Sequence, residues 1–241
     1  MKTGILIHVY NLDDPGWQHI AWGEPAEDKL GSLPLLCRML LTEEPTNSIE
    51  QIAIFAGPSQ KDGLKEHAYM KQFLLDHLNE LSTFPQLRPL LGNDPETLGM
   101  LRTRIEGIIL GKNLMRTADE IAAAARLFKP PAIEQVIQIA CGSHAPRCVK
   151  AQVQAREQGL IPYGQPWLVA ASDVCFADTS PDDVVIFEKP HLPYDPMIHY
   201  QPMAPEVLSR YFALPPEEKH AFLQMAAQFM TDHSGSAETK S

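Results

Sequence analysis

The sequence predicts an α/β fold of the Rossmann-like type, with three layers: a doubly wound parallel sheet between two layers of helices. Short apolar segments rich in Val and Ile alternate with helical patterns along most of the 241 residues. Near-continuous apolar runs are typical of parallel strands that are covered on both faces. Ligands of such sheets bind at the carboxyl ends of the strands, so polar residues that follow strands are the first candidates for a site.

The composition excludes several classes of function. The chain is 44% hydrophobic and 21% charged, as in ordinary globular proteins. Its net charge of −10 argues against non-specific nucleic-acid binding and against attachment to anionic membranes. The four cysteines form no C-x-x-C pair, the start has no signal-peptide pattern and no apolar run reaches about 18–20 residues. We therefore expect a cytoplasmic protein with no metal site and no membrane span.

The first half of the chain contains two predicted strands, each followed by a helix. The first strand covers residues 4–10 and ends in a turn-prone segment, and a helical pattern follows over 28–41. The second strand covers 51–56 and leads through a short polar loop into a long helix over 63–81.

The second half continues the same alternation. Residues 82–116 predict a helix that begins near Pro95 and then a short strand at 107–111, although the helical period also fits that last segment. Thr117 and Glu120 form the pattern of a capping box at the start of a helix over 117–128. The remaining elements are predicted as a strand over 135–141, a helix over 146–158, and strands over 167–171 and 184–187.

These elements suggest one α/β domain over residues 1–190 with a C-terminal extension. The extension, 191–230, contains a Pro-rich loop from 190 to 205 and a helix from Pro215 to about Met230. The small polar residues 231–241 predict a disordered tail.

The loop after the strand 135–141 has the strongest functional pattern. Ser143, His144 and Arg147 bring a hydroxyl, an imidazole and a guanidinium to the start of a helix. Helix N-termini favour anions, and arginine binds phosphate or carboxylate through paired N–H donors. His144 is suited to proton transfer near neutral pH. The alternative is that Ser143 caps the helix and the other two side chains are solvated.

Each of the other candidate residues gives a weaker functional signal than this loop. Asn11 follows the first strand, and Gly57 and Ser59 follow the second, but no dinucleotide or P-loop glycine pattern is present. Glu66, near the start of the next helix, is suited to meeting a ligand hydroxyl or a basic group, or simply complements the helix dipole. Asp119 alone indicates only a favourable first helical turn. Near a helix start, Cys148 is interpreted as a small buried apolar residue rather than a thiolate.

Three motifs, in this order, resemble those of the bacterial domain-of-unknown-function-218 (DUF218) family, the YdcF/SanA/ElyC-like proteins. Glu66-His-Ala-Tyr-Met70 resembles its E-A-x-x-M helix, Thr117-Ala-Asp119-Glu120 its T-x-E-N helix start, and Ser143-His144-Ala-Pro-Arg147 its S/T-x-x-H-x-x-R strand end. The sequence departs from the family pattern at Asp119, where Glu is usual, and at Glu120, where Asn is usual. The resemblance covers about residues 1–190.

This resemblance implies a Rossmann-like fold whose polar groups line one cleft, with S-adenosylmethionine as a possible cofactor. Members of the family are associated with envelope metabolism or with S-adenosylmethionine binding, and their general reaction is not settled. We expect a small anionic or nucleotide-like ligand, and either an enzyme, such as a transferase or hydrolase, or a non-catalytic ligand sensor or protein-interaction module. The predicted catalytic residues are His144, Glu66 and Asp119. The predicted ligand-binding residues are Asn11, Gly57, Ser59, Thr117, Ser143 and Arg147. The oligomeric state is left open.

Overall fold

The computed structural model describes residues 1–44, 46–92, 94–111, 114 and 116–175, together with the backbone of residues 185–188 and 199–202. Two compact units divide the chain, Met1–Asp178 and Thr179–Ser241. Every residue predicted for the functional site lies in the first unit.

A five-stranded parallel sheet forms the centre of the first unit. Its strands are β1 (Thr3–His8), β2 (Ile49–Phe55), β3 (Ile109–Leu110), β4 (Gln135–Ala140) and β5 (Trp167–Ala171), in the spatial order β3-β2-β1-β4-β5. All four neighbouring pairs are parallel, which confirms the predicted α/β class. The chain runs outward from β1 to β3 and then returns to the other side of β1. The order therefore reverses between β1 and β4, which is where such sheets bind ligands.

Helices cover both faces of this sheet. Within β1, Ile5 and Ile7 pack with helices that precede or follow β2, whereas Leu6 faces the opposite layer. The first layer contains α1 (Trp17–Trp22), α2 (Ser32–Leu41), α3 (Glu66–Asp76), α4 (Arg88–Leu91) and α5 (Pro95–Glu106). The second layer contains α6 (Thr117–Leu127) and α7 (Ala145–Glu157). The apolar core is thus divided into two parts by the sheet.

Local sequence explains several of the helix ends. The Asp94 side chain accepts a hydrogen bond from the Glu96 backbone N–H at 3.0 Å, with Pro95 at the first position of α5. After the C-terminus of α7, Gly159 adopts a φ of +73°, which a residue with a side chain rarely adopts.

Two predicted helices begin later than expected because short antiparallel strands take their first residues. Lys29–Leu30 pairs with Gly23–Glu24, so α2 begins at Ser32. Leu64–Lys65 pairs with Gln60–Lys61, so α3 begins at Glu66. The same helix ends at Asp76 and is followed by a 3₁₀ helix, Leu78–Thr83. Helix α1 was not predicted, although Trp17, Ile20 and Ala21 are buried at helical spacing.

The second unit is described only by one antiparallel pair. The strand Val185–Glu188 pairs with His199–Pro202. Residues 199–202 were predicted as part of an extended loop, so this part of the prediction is wrong. The predicted C-terminal helix and the tail 231–241 lie outside the described residues.

Candidate active site at the carboxyl edge of the sheet

His8 is the buried centre of the polar groups at this edge. It is the last residue of β1 and shares a face with Leu6, the face covered by α6 and α7. Its Nδ1 lies 2.6 Å from Glu120 Oε2 on α6, and its Nε2 lies 3.0 Å from Gln138 Oε1 on β4. The residue is only 3% exposed. An ionisable side chain at this depth is costly unless it is paired, as it is here.

The surroundings of His8 favour its charged form. Burial lowers the pKa of the imidazole, but the contributions of Cys148 and Glu120 outweigh that effect. The pKa of His8 is therefore raised well above its ordinary value. When the imidazole is protonated, its contact with Glu120 is a buried ion pair.

Glu66 forms a second buried centre at the end of β2. Its carboxylate accepts hydrogen bonds from the Ser59 hydroxyl and, at 3.4 Å, from the Gly57 backbone N–H. The Ser59 hydroxyl in turn accepts a bond from the Leu12 backbone N–H at 3.1 Å, which ties this loop to the one after β1. The predicted residues Gly57, Ser59 and Glu66 are thus brought together.

Burial raises the pKa of Glu66 to about 7, although the bond from Ser59 lowers it. The negative charge of Glu120 is a further cause of the rise, with smaller effects from Gly57 and Asp13. The Glu66 carboxyl group therefore interacts with the carboxylate of the His8–Glu120 pair. Glu66 and Glu120, which are far apart in sequence, therefore share one electrostatic environment. Of the two carboxyl groups, that of Glu66 has a pKa near neutrality.

Thr117 and His144 form the third part of the site. The Thr117 hydroxyl lies 3.0 Å from His144 Nε2, and the His144 and His8 rings are 5.4 Å apart between centroids. The capping box expected from Thr117 and Glu120 does not form. The N-cap of α6 is Arg116, whose own side chain makes no capping hydrogen bond. Both side chains of the expected box are directed to histidines instead.

The start of α7 differs from the predicted anion site. His144, not Ser143, is the N-cap, and the backbone N–H groups of His144 and Ala145 both donate to the Cys141 carbonyl. Ser143 is fully buried, with its hydroxyl 3.5 Å from Cys141 Sγ. Since Pro146 has no N–H, the first turn offers few donors to a ligand, and anion binding would depend on the half-buried Arg147.

Two predicted residues do not join this cluster. Asp119 is exposed on α6, and the carboxylate beside it, Glu120, enters the site. The Asn11 side chain accepts a bond from the Asp13 backbone N–H at 3.0 Å and so stabilises its own loop.

Sequence reasoning missed His8 and Gln138. Both are polar residues within otherwise apolar strands, and this was the available signal. A polar side chain in a strand buried on both faces needs a partner, and His8 and Gln138 are partners of one another.

Ser172 adds a buried polar group at the end of β5. It is 6% exposed, and its hydroxyl has no hydrogen-bond partner among the residues that the structure describes. Among the described residues, no group of three or more His, Cys, Asp or Glu side chains is arranged to hold a metal ion. None of the described helices combines the length and apolar character that crossing a membrane requires.

Comparison with known proteins gives no relative. No protein-family model matches the chain, and no curated protein or solved structure is significantly similar to it.

Proposed function

We propose that this protein is an enzyme that binds a small anionic or nucleotide-like ligand at the carboxyl edge of the sheet. Its side chains donate protons to this ligand or accept protons from it. Glu66 is the acid–base group, and His144 is the second proton-transfer or hydrogen-bonding group. Arg147 holds the negative group of the ligand. Gly57, Ser59, Thr117 and Ser143 shape the surroundings of these side chains.

The observation that carries the proposal is the gathering of buried polar side chains at one point of the fold. Five of them are buried and come from strands, loops and helices: His8, Ser59, Glu66, Glu120 and His144. Burying such groups costs free energy, and an α/β sheet of this size is stable without them. Their position at the switch point of the sheet is the usual position of a ligand site.

The protonation of Glu66 supports acid–base chemistry in particular. A pKa of about 7 keeps both forms of the carboxyl group populated at neutral pH. Proton-transfer groups work best when their pKa lies near the working pH. A carboxylate that only complemented the dipole of α3 would need neither burial nor this environment.

The resemblance to the domain-of-unknown-function-218 family suggests which ligands to test. It favours S-adenosylmethionine or a phosphorylated metabolite, and it extends the proposal to a divergent bacterial member of that family. The cysteine pattern favours a cytoplasmic setting. A non-catalytic ligand sensor with the same site would bind the ligand without converting it.

A thermal-shift screen of the whole chain tests this proposal. Nucleotides, S-adenosylmethionine and phosphorylated metabolites serve as probes, and saturation at 100 Kd adds about 2.7 kcal/mol of stability. We expect at least one probe to stabilise the wild type, and Arg147→Ala and His144→Ala to lose that stabilisation. Asp119→Ala is the matched control, because Asp119 is exposed, and it retains the effect.

A turnover assay with the stabilising probe then separates the two functional classes. Conversion of the probe that is lost in Glu66→Gln supports the enzyme. Binding without conversion favours the sensor. No stabilisation by any probe, or equal stabilisation of wild type, Arg147→Ala and His144→Ala, contradicts a ligand site of this chemistry.

A further inference from the structure

A chain of hydrogen bonds runs from the backbone of β5 through His8 to Glu120. Gln152 on α7 donates from Nε2 to the Trp167 carbonyl oxygen at 2.8 Å. Gln138 donates from Nε2 to Gln152 Oε1, also at 2.8 Å. Gln138 Oε1 lies 3.0 Å from His8 Nε2, and His8 Nδ1 lies 2.6 Å from Glu120 Oε2.

The first link fixes the direction of the whole chain. A backbone carbonyl only accepts hydrogen bonds, so Gln152 must direct its NH₂ group to Trp167 and its oxygen to Gln138. Gln138 must then direct its NH₂ group to Gln152 and its oxygen to His8. An amide oxygen also only accepts, and therefore His8 Nε2 must carry a proton.

The contact at the other ring nitrogen completes the protonation state. An ionised Glu120 only accepts, so a proton is needed on His8 Nδ1 as well. The titratable groups facing the ring are Glu120 from α6, Cys148 from α7 and His144 from the loop before α7. The upward direction of the His8 pKa agrees with a doubly protonated ring, because Cys148 and Glu120 outweigh the opposing effect of burial.

We propose that Gln138 and Gln152 are positioning residues that keep His8 doubly protonated and in one orientation beneath the site. The charge of +1 on His8 then offsets the charge of −1 on Glu120. Without that proton, the site would contain an uncompensated carboxylate that repels an anion. This consequence for ligand choice rests on the proposed function, whereas the protonation of His8 does not.

The ring nitrogens of His8 test the proposal directly by ¹⁵N NMR of the whole chain at pH 7, with no ligand present. We expect both nitrogens to be protonated, with the signal assigned by its loss in His8→Asn. A ring with one protonated nitrogen overturns the proposal. Because no ligand is used, failure of the proposed function leaves this result unaffected, and failure here leaves the ligand screen unaffected.

Gln152→Met tests the relay itself, since the structure gives Gln152 no hydrogen bond to His8. Without Gln152 Oε1, the Gln138 amide is free to turn and present its NH₂ group to His8 Nε2. We expect this variant to lose the second ring proton at pH 7, by a lowered His8 pKa. Gln154→Met, at an exposed position of the same helix, is the matched control and leaves both protons in place.

Gln138→Glu provides the complementary result. A carboxylate at this position still accepts from His8 Nε2, so both ring protons are retained. Loss of a proton in Gln138→Glu, or its retention in a folded Gln152→Met, contradicts the relay. If Gln152→Met fails to fold, the wild-type spectrum and Gln138→Glu together decide the proposal.

Discussion

At the scale of single residues, Glu66 couples its protonation to folding. Its pKa rises from 4.5 to about 7 in the native state, chiefly because the side chain is buried. The native state therefore binds a proton more tightly than the unfolded chain. The stability that this proton contributes is fully present below about pH 4.5 and is lost as the pH rises through 7. Above that pH, Glu66 causes no further change in stability. The whole effect corresponds to about 3 kcal/mol.

Glu66→Gln removes this titration while keeping the shape of the protonated side chain. We expect the stability of the variant relative to wild type to increase by up to about 3 kcal/mol between pH 4 and pH 8. Urea unfolding across that range measures it, with the exposed Glu106→Gln as the control. Parallel pH profiles for wild type and Glu66→Gln would show that Glu66 titrates normally.

The adjacent acids of α6 form a second residue-scale test. Glu120→Ala leaves the buried His8 without its partner, so we expect a loss of about 3–5 kcal/mol. Asp119→Ala changes an exposed side chain in the same helical turn and should cost less than about 1 kcal/mol. Chemical denaturation measures both. Similar losses for the two variants would mean that the His8–Glu120 contact adds little to stability.

The choice between these two acids was partly predictable. Ile121, Ala124 and Ala125 define the buried side of α6, and Glu120 lies beside them whereas Asp119 does not. The capping-box pattern obscured this signal, since it explains Glu120 without any tertiary contact. The sequence near Glu120 does not show that the buried His8 lies opposite the start of α6, because this contact is made only in the folded chain.

At the scale of elements, the backbone at Gly31 lies so close to the end of α1 that there is no room for a side chain. A Cβ atom there would lie 2.5 Å from the Trp22 carbonyl carbon, which is backbone and unable to turn aside. We expect Gly31→Ala to destabilise the protein by more than about 2 kcal/mol, because the small strand pair before α2 must shift.

Gly99→Ala is the matched control for this substitution. Gly99 is exposed within α5, and a Cβ atom there meets nothing within 4 Å. The same change should therefore stabilise by about 0.5–1 kcal/mol, through the higher helix propensity of alanine. Thermal unfolding measures both variants, and a stable Gly31→Ala protein would contradict the close approach of the backbone.

The long elements were predictable, and of the two-residue strands in the described part of the chain only β3 was, within the predicted range 107–111. Apolar runs such as that of β1, and helical periods such as that of α6, depend mainly on neighbouring residues and are visible in sequence. The strands Lys29–Leu30 and Leu64–Lys65 are two residues long and exist through pairing with another segment. Each shortened a predicted helix, since a helical pattern alone does not show where such pairing ends.

At the scale of the whole molecule, the site exists only when the sheet is assembled in its order. His8, Glu66, Glu120 and His144 come from four separate parts of the chain. The parallel class was predictable from the alternation of elements, but the position of β4 beside β1 depends on long-range pairing. That pairing brings Gln138 to His8 and made both residues difficult to identify from sequence.

We propose above all that folding creates an acid–base group, Glu66, that titrates near neutral pH at this edge of the sheet. A ¹³C NMR titration of the Glu66 carboxyl group in the whole chain, assigned with Glu66→Gln, tests it most directly. We predict a midpoint near 7 in the native protein, returning to about 4.5 in concentrated urea. A native midpoint near 4.5 would contradict the account, because Glu66 would then be an ordinary ionised carboxylate.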